Sequence, residues 1–182
     1  ILNKEEYEDI DFTGAIIKPY VTLTEDEWGR NLLLNSGVEV TNNSYGIRTY
    51  TPSEWLVAGE TYTVTLCVTP AEGVSEFRPY LSGGNMPQTI LYVSGTDKQV
   101  LTKTFTARYF EGRLPEDNPS WANLNFFRFP NDGTVTEPST IHWVKVEKGP
   151  VATPWTPAPE DWSTPIPLGT FIVDEDKRSN DV

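Results

Sequence analysis

Four segments of the chain place aromatic and hydrogen-bonding side chains at alternate positions, opposite apolar ones. Alternation of this kind is typical of a β-strand with one face in the core and the other outside. A Tyr or Trp ring can stack on the C–H face of a sugar, while Arg and Asn side chains bind its hydroxyl groups. The candidate ligand-binding residues predicted in this way are Arg48, Tyr50, Arg78, Tyr80, Trp121, Asn123, Asn125 and Trp143.

A second interpretation of these outward side chains stays open at the level of sequence. Aromatic side chains on the outer face of a sheet also pack beneath loops, against a preceding segment, or in an interface between subunits. Trp155 and Trp162 lie in a Pro-rich segment near the end of the chain and are predicted to anchor that segment to the domain.

Residues that could support hydrolysis are few. His142 is the one histidine, so a Ser-His-Asp triad would have to use it. It shares strand parity with Val144 and Val146, which predicts a core or edge residue held by hydrogen bonds. Glycoside hydrolysis needs two carboxylates across a cleft, and the acidic candidates fall mostly in predicted turns. These candidates are Glu76, Glu111, Glu116 and Asp117. We therefore predict that the protein is not an enzyme.

Cysteine usage excludes a second group of functions. Cys67 is alone, so the sequence encodes neither an internal disulfide nor a cysteine-based metal cluster. One Cys with one His provides too few ligands for a zinc site. Cys67 lies in a strand pattern and is predicted to be a small residue of a sheet.

Strand patterns recur through the middle of the chain at the spacing of a β-sandwich. Gly and Pro interrupt every long window there, which leaves no room for a long helix. The predicted strands cover residues 38–42, 44–50, 61–69, 75–82, 89–93, 100–106, 123–129 and 141–147. Eight such strands predict an all-β fold, an antiparallel β-sandwich of the jelly-roll type.

The net charge is −12 at pH 7, and the excess of acidic residues lies at the two ends of the chain. Residues 1–30 hold eight acidic and three basic residues, and residues 160–182 hold six and two. A nucleic-acid site needs a basic patch, which the sequence lacks, and an anionic membrane surface is disfavoured for the same reason. No apolar run approaches the ~18 residues that span a bilayer. Neither nucleic acid binding nor membrane insertion is expected.

Composition divides the chain into three parts. Residues 1–30 form an irregular acidic lead-in or linker, residues 31–149 the β-sandwich domain, and residues 150–182 a Pro-rich extension with an acidic tail. Six prolines within residues 150–167 favour an extended, partly stiff segment. Residues 169–173 carry one further strand pattern, which is predicted to pair with a partner chain.

Two short motifs bracket the predicted domain. The first is Arg30-Asn-Leu-Leu-Leu-Asn-Ser-Gly37, and the second runs from Lys145-Val-Glu-Lys-Gly149 to Ala152-Thr-Pro-Trp-Thr-Pro-Ala-Pro-Glu-Asp161. They resemble the "NLL.N(S/G)G" opening and the "KLEKG…AT.W.PAPED" ending of carbohydrate-binding-module-like β-sandwich domains in phage tail-fibre and other minor structural proteins. Neither motif carries a catalytic group.

The resemblance implies a non-enzymatic virion module, of tail-fibre or baseplate type, that binds host cell-surface polysaccharide. It implies a location in the tail or another surface appendage of the virion, contacts with other virion proteins, and a homo-oligomer, a trimer as in tail fibres. No cofactor is expected except a structural calcium ion, which the resembling modules often hold with loop carbonyls and carboxylates. Two other functions stay open: an architectural collar, decoration or fibre-joining module without a glycan ligand, and a carbohydrate-binding module of a bacterial surface protein.

Overall fold

The computed structural model describes residues 29–161, in which eight strands follow one another along the chain. They are β1 (Val40–Asn42), β2 (Gly46–Tyr50), β3 (Thr61–Thr69), β4 (Glu76–Leu81), β5 (Leu91–Tyr92), β6 (Gln99–Thr106), β7 (Leu124–Phe129) and β8 (Ser139–Lys148). Short 3-10 helices precede β7 at Pro119–Ala122 and end the described region at Pro159–Asp161. Each predicted strand overlaps one observed strand, so the predicted positions of the strands along the chain are confirmed.

The strands form two four-stranded antiparallel sheets that pack against each other, which confirms the predicted β-sandwich. Sheet I has the order β1-β8-β3-β6, and sheet II has the order β2-β7-β4-β5. Only β4 and β5 follow one another within a single sheet, so every other connection between the described strands crosses from one sheet to the other.

The core lies between the sheets and is built by alternation along the strands. In β3, the central strand with the longest pairing, Tyr62, Val64 and Leu66 point inward and Thr residues point outward. Phe77 of β4 and Leu124 of β7 meet them from sheet II and are fully buried. Burial of each large apolar side chain stabilises the fold by about 1.5–3 kcal/mol, so the contact between the sheets is the main source of stability.

A β-bulge changes the side-chain parity of β2. The register with β7 shifts between Gly46 and Arg48, and as a result both Ile47 and Tyr50 enter the core. Tyr50 is 1% exposed and packs edge-on against Phe126 of the same sheet. The prediction that Tyr50 faces outward beside Arg48 is therefore wrong, because one additional residue in a bulge reverses the alternation on which it rested.

A second β-bulge, in β8, determines the position of His142. The pairing of β3 with β8 shifts at Cys67 and Val68, so that Ile141 and Val144 both reach the core and His142 is the additional residue between them. The prediction that His142 faces the core together with Val144 and Val146 is wrong, because the additional residue of the bulge interrupts the alternation, as it does at Tyr50. The prediction that hydrogen bonds hold its ring is confirmed, and Cys67 is a buried sheet residue as predicted.

After β8 the chain turns at Gly149 and runs back along the outer face of sheet I as residues 150–161, which we call the strap. Trp155 lies beside Trp143 and donates from Nε1 to the carbonyl oxygen of Val144 at 3.2 Å. The prediction that Trp155 anchors the Pro-rich segment is thus confirmed. The predicted domain boundary at residue 149 falls where the strap begins.

Three predictions concern residues outside the described range. They are the lead-in up to residue 28, the anchoring role of Trp162, and the additional strand at residues 169–173. Between residues 29 and 161, no helix has both the length and the apolar composition needed to cross a membrane.

Candidate functional site

The outer face of sheet II carries a cluster of aromatic and polar side chains, which we call the aromatic platform. Its members are Tyr45, Glu76, Arg78, Tyr80, Tyr92, Asn125, Phe127 and Phe129. The strand register brings them together, because Arg78 lies opposite Phe127 and Tyr80 lies opposite Asn125. Side chains directly opposite on one face of an antiparallel pair are in contact range.

The rings of the platform pack on one another across two strands and the turn before β2. The ring centroid of Tyr45 lies 4.8 Å from that of Phe127 and 5.2 Å from that of Phe129. Tyr80 meets Phe127 edge-on at 5.3 Å. Gly46 permits this arrangement, since a Cβ atom at that position would lie only 3.2 Å from Cε1 of Phe127.

An ion pair lies at the centre of the platform. The Nε atom of Arg78 donates to Oε1 of Glu76 at 2.6 Å, and its Nη2 atom donates to the same oxygen. The guanidinium carbon of Arg78 lies 3.8 Å from the ring centroid of Phe129. Burial lowers the pKa of Arg78, but the hydrogen bonds to Glu76 and the influence of the neighbouring Tyr80 outweigh it and raise that pKa overall. Arg78 is therefore a cation fixed in one orientation on an aromatic ring.

Hydrogen bonds orient the amide group at one end of the platform. Asn125 accepts from Oγ1 of Thr49 at 2.5 Å and donates from Nδ2 to Oγ of Ser82 at 2.8 Å. An amide fixed from both sides loses little side-chain entropy when it meets a ligand. Its remaining donor and acceptor positions therefore form a preorganised polar edge.

The phenol groups of the platform complete its hydrogen-bonding capacity. Burial raises the pKa of Tyr45 above its usual value, Tyr80 raises it further, and Arg78 opposes the shift. The phenol thus stays protonated around neutral pH, where its hydroxyl group both donates and accepts. Tyr92, at the β5 edge and opposite Glu76, is the most exposed ring of the platform at 67%.

The structure brings three of the predicted residues together, Arg78, Tyr80 and Asn125. The sequence analysis missed the two phenylalanines beside them, although Phe127 and Phe129 share the outward parity of Asn125 and were detectable from that alternation. Tyr45 precedes β2 in a turn, where parity gives no signal.

Other predicted residues lie elsewhere. Trp121 belongs to the 3-10 helix before β7, and the guanidinium carbon of Arg113 lies 5.0 Å from its ring centroid. Asn123 caps the same helix and donates its backbone N–H to the carbonyl oxygen of Ser120. Arg48 directs its guanidinium group to the ring of buried Tyr50, at 5.3 Å from the centroid. These residues are not part of the aromatic platform.

Trp143 faces outward as predicted, but on sheet I. Its ring centroid lies 6.0 Å from that of Trp155 in the strap, with the two planes tilted by 37°. The bulky indole of Trp155 also fills the space beside Gly37, where a Cβ atom would approach it to 2.6 Å. Trp143 therefore packs within the molecule, which matches the second interpretation of the outward aromatic side chains.

The charged residues Lys145 and Glu147 of the closing motif form a buried ion pair. Lys145 and Glu147 point outward from β8, yet each side chain is only 1% exposed because the strap covers them. Thr153 donates to Glu147 from both its backbone nitrogen and its hydroxyl group, at 2.9 and 2.7 Å. The ammonium group of Lys145 donates to the hydroxyl of Thr153 and to the carbonyl of Pro154.

The opening motif meets the closing motif in the same region. Asn31 is fully buried and donates from Nδ2 to the carbonyl of Thr156 in the strap and to the hydroxyl of Ser36, both at 2.8 Å. The backbone nitrogen of Asn35 donates to Oδ1 of Asp161 at 2.8 Å. The two motifs that carry the resemblance thus form one structural clasp between the beginning and end of the described chain.

The structural calcium ion that the resemblance implies has no candidate cluster of ligands among the described side chains. Residues 29–161 contain no group of three or more His, Cys, Asp or Glu side chains placed to hold a metal ion. Backbone carbonyls do converge at one place, where Arg128, 6% exposed, occupies the centre. Its guanidinium group donates to the carbonyls of Asn43 at 2.7 Å, Val135 at 2.9 Å and Ser44 at 3.2 Å.

The groups considered for hydrolysis are not arranged for it. Glu76 is bound to Arg78, whereas Glu111, Glu116 and Asp117 are exposed in the loop between β6 and β7. The ring nitrogens of His142 lie 2.6 Å from Oε2 of Glu39 and 2.9 Å from the hydroxyl of Thr69.

Comparison of the chain with protein-family models, with curated proteins and with solved structures finds no match.

Proposed function

We propose that this protein is a non-enzymatic module that binds a host-surface glycan through the aromatic platform. The observation that carries the proposal is the convergence on one sheet face of aromatic rings, a fixed guanidinium group and a fixed amide. Sugar rings present C–H groups on one side and hydroxyl groups around the edge, so a site for them needs both kinds of contact. The other outward aromatic pair, Trp143 and Trp155, is engaged within the molecule.

The sandwich is proposed to be a jelly roll. Two interlocked Greek keys of eight antiparallel strands define that fold, and they place strands 1, 8, 3 and 6 in one sheet and strands 2, 7, 4 and 5 in the other. The strand order of this chain supports the assignment.

A virion tail-fibre or baseplate position is proposed from the resemblance of the two bracketing motifs. The clasp supports the view that both motifs belong to one domain, since Asn31 and Asn35 bond directly to the strap. A homo-oligomer and contacts with other virion proteins belong to the same proposal.

An architectural module is the second candidate, favoured by exposed apolar side chains at one end of the sandwich. The loops that follow β2, β4, β6 and β8 lie at that end. They carry Trp55, Val57, Met86, Phe110, Leu114 and Val151, each more than 40% exposed. Apolar side chains gathered on one surface are typical of a contact with another protein.

Glycan binding by the 182-residue chain tests the first proposal. We expect saturable binding on a glycan array, and about tenfold weaker binding after Tyr92→Ala or Tyr80→Ala, since one lost stacking contact of about 1.4 kcal/mol changes affinity tenfold. Tyr92 is highly exposed, so its removal leaves the fold intact. Trp55→Ala is the matched control, because Trp55 is an exposed aromatic residue outside the platform.

Equal binding by wild type and both folded platform variants would remove the platform from the proposal. A chain that binds no glycan but self-associates in solution would favour the architectural module instead.

A further inference from the structure

The aromatic platform contains one cation and one anion, and they neutralise each other. The charged side chains in the four strands of sheet II are Arg48, Glu76, Arg78 and Arg128. Arg128 is buried among backbone carbonyls, and Arg48 lies over the ring of Tyr50. The pair of Arg78 and Glu76 therefore sets the charge that a ligand on the platform meets.

This pair is arranged so that the binding of an anionic ligand is disfavoured. Two N–H groups of Arg78 already bind one carboxylate oxygen of Glu76, and Phe129 covers one side of the guanidinium group. Glu76 is only 7% exposed, so its carboxylate is held in place beneath the surface. A ligand carboxylate or phosphate would have to displace this internal partner or approach it closely, and both options are unfavourable.

We propose that the platform selects neutral glycans and that Glu76 is the residue that excludes anionic ones. The inference rests on the proposed glycan-binding function and adds the charge class of the ligand. The net charge of −12 acts in the same direction, because an acidic protein repels an anionic polymer at low ionic strength. A neutral sugar requires only ring stacking and hydrogen bonds to hydroxyl groups, which the platform offers without breaking the ion pair.

The test is a charge-switch variant on an array of neutral oligosaccharides and their uronic-acid, sialylated and phosphorylated counterparts. We expect the wild-type chain to bind neutral members and to bind the anionic counterparts at least about tenfold more weakly. Glu76→Gln keeps the side-chain shape and frees the cation. We expect it to gain about tenfold in affinity for anionic members, since the freed guanidinium group can form charge-assisted hydrogen bonds with them. Added salt should remove that gain.

Two further variants keep the test specific. Glu160→Gln removes the same charge from an arginine pair outside the platform, the one with Arg30, and should gain no anionic binding. The double variant Glu76→Gln with Arg78→Gln should show no gain in affinity for the anionic members, because the freed cation is absent. Wild-type preference for anionic glycans, or a folded Glu76→Gln variant without any gain, would overturn the inference and leave the binding function in place. Absence of binding by both wild type and Glu76→Gln would overturn both proposals.

Discussion

Tyr50 and Tyr62 belong to the same core, but their hydroxyl groups have different surroundings. The hydroxyl of Tyr62 accepts a hydrogen bond from the backbone nitrogen of Val57 at 2.9 Å. Among the described residues, the buried hydroxyl of Tyr50 has no hydrogen-bond partner. A buried polar group without a partner costs about 1–3 kcal/mol, so Tyr50 occupies its position for its ring and in spite of its hydroxyl group.

We expect Tyr50→Phe to leave the free energy of unfolding unchanged or to raise it by about 1 kcal/mol. Tyr62→Phe, the matched control, leaves the N–H of Val57 unpaired and should lower it by about 1 kcal/mol or more. Chemical denaturation measures both values. Glycan binding should be unaffected by Tyr50→Phe. A loss of binding would indicate that Tyr50 contributes to the ligand site although it is buried.

The pH dependence of stability gives a second measurement for the same residue. Burial raises the pKa of Tyr50 from 10.0 to about 12, with a small opposing effect of Arg48. The folded state therefore retains the proton more strongly than the unfolded state. Ionisation of the buried hydroxyl is thus more costly in the folded state, so the free energy of unfolding should fall by about 2–3 kcal/mol as pH rises from about 10 towards 12. Tyr50→Phe should show a shallower loss over this range, and an unchanged slope would contradict the assignment.

At the scale of elements, the strap depends on a buried ion pair. Lys145 and Glu147 lie 3.4 Å apart beneath it, and both bind Thr153. Burial lowers the pKa of Lys145, and Glu147 opposes that shift. Removal of one member of such a pair leaves an uncompensated buried charge, which is more costly than the loss of the attraction itself.

We expect Lys145→Met or Glu147→Gln alone to lower the free energy of unfolding by about 3–5 kcal/mol. Replacement of both with apolar residues should cost less than the sum. Lys148→Met is the control, since Lys148 pairs with Glu54 at 2.6 Å on the surface and should cost less than about 1 kcal/mol. Denaturation gives these energies, and hydrogen exchange at the amide of Thr153 reports whether the strap has separated. Equal losses for Lys145→Met and Lys148→Met would contradict the role of burial.

The elements also explain how far the sequence could predict the fold. Alternation and turn residues located all eight strands, because each strand has one face in the core and its ends are marked by Gly, Pro, Asn or Asp in the connections. Two bulges escaped that analysis, and they misplaced Tyr50 and His142, since a single additional residue leaves no signature in the alternation. The candidate site contains three of the residues that alternation selected, Arg78, Tyr80 and Asn125. Phe127 and Phe129 share the outward parity of Asn125 and could have been found in the same way. Which strands become neighbours, and so bring Tyr45 and Tyr92 beside these residues, is not contained in the parity of one strand.

At the scale of the whole molecule, the two outer faces of the sandwich differ in what covers them. The strap lies on sheet I and holds Trp143, Lys145 and Glu147. Sheet II carries the aromatic platform on its outer face. The two bracketing motifs therefore close one side of the domain, and the proposed ligand surface lies on the opposite side. The clasp thus belongs to the architecture of the domain and contributes no residue to the proposed ligand surface.

Arg128 occupies the point where loop carbonyls converge, and its position bears on the effect of metal removal. Loop carbonyls that converge at one point can bind a hard cation such as calcium, but here the carbonyls of Asn43, Ser44 and Val135 bind the guanidinium group of Arg128. Arg128 thereby ties the loop before β2 to the loop before β8. We expect Arg128→Met to lower the free energy of unfolding by about 3 kcal/mol or more, because several buried carbonyls lose their donor. The melting temperature of the wild-type chain should be equal in calcium and in EDTA, and a lower value in EDTA would place a structural metal in the protein despite this arginine.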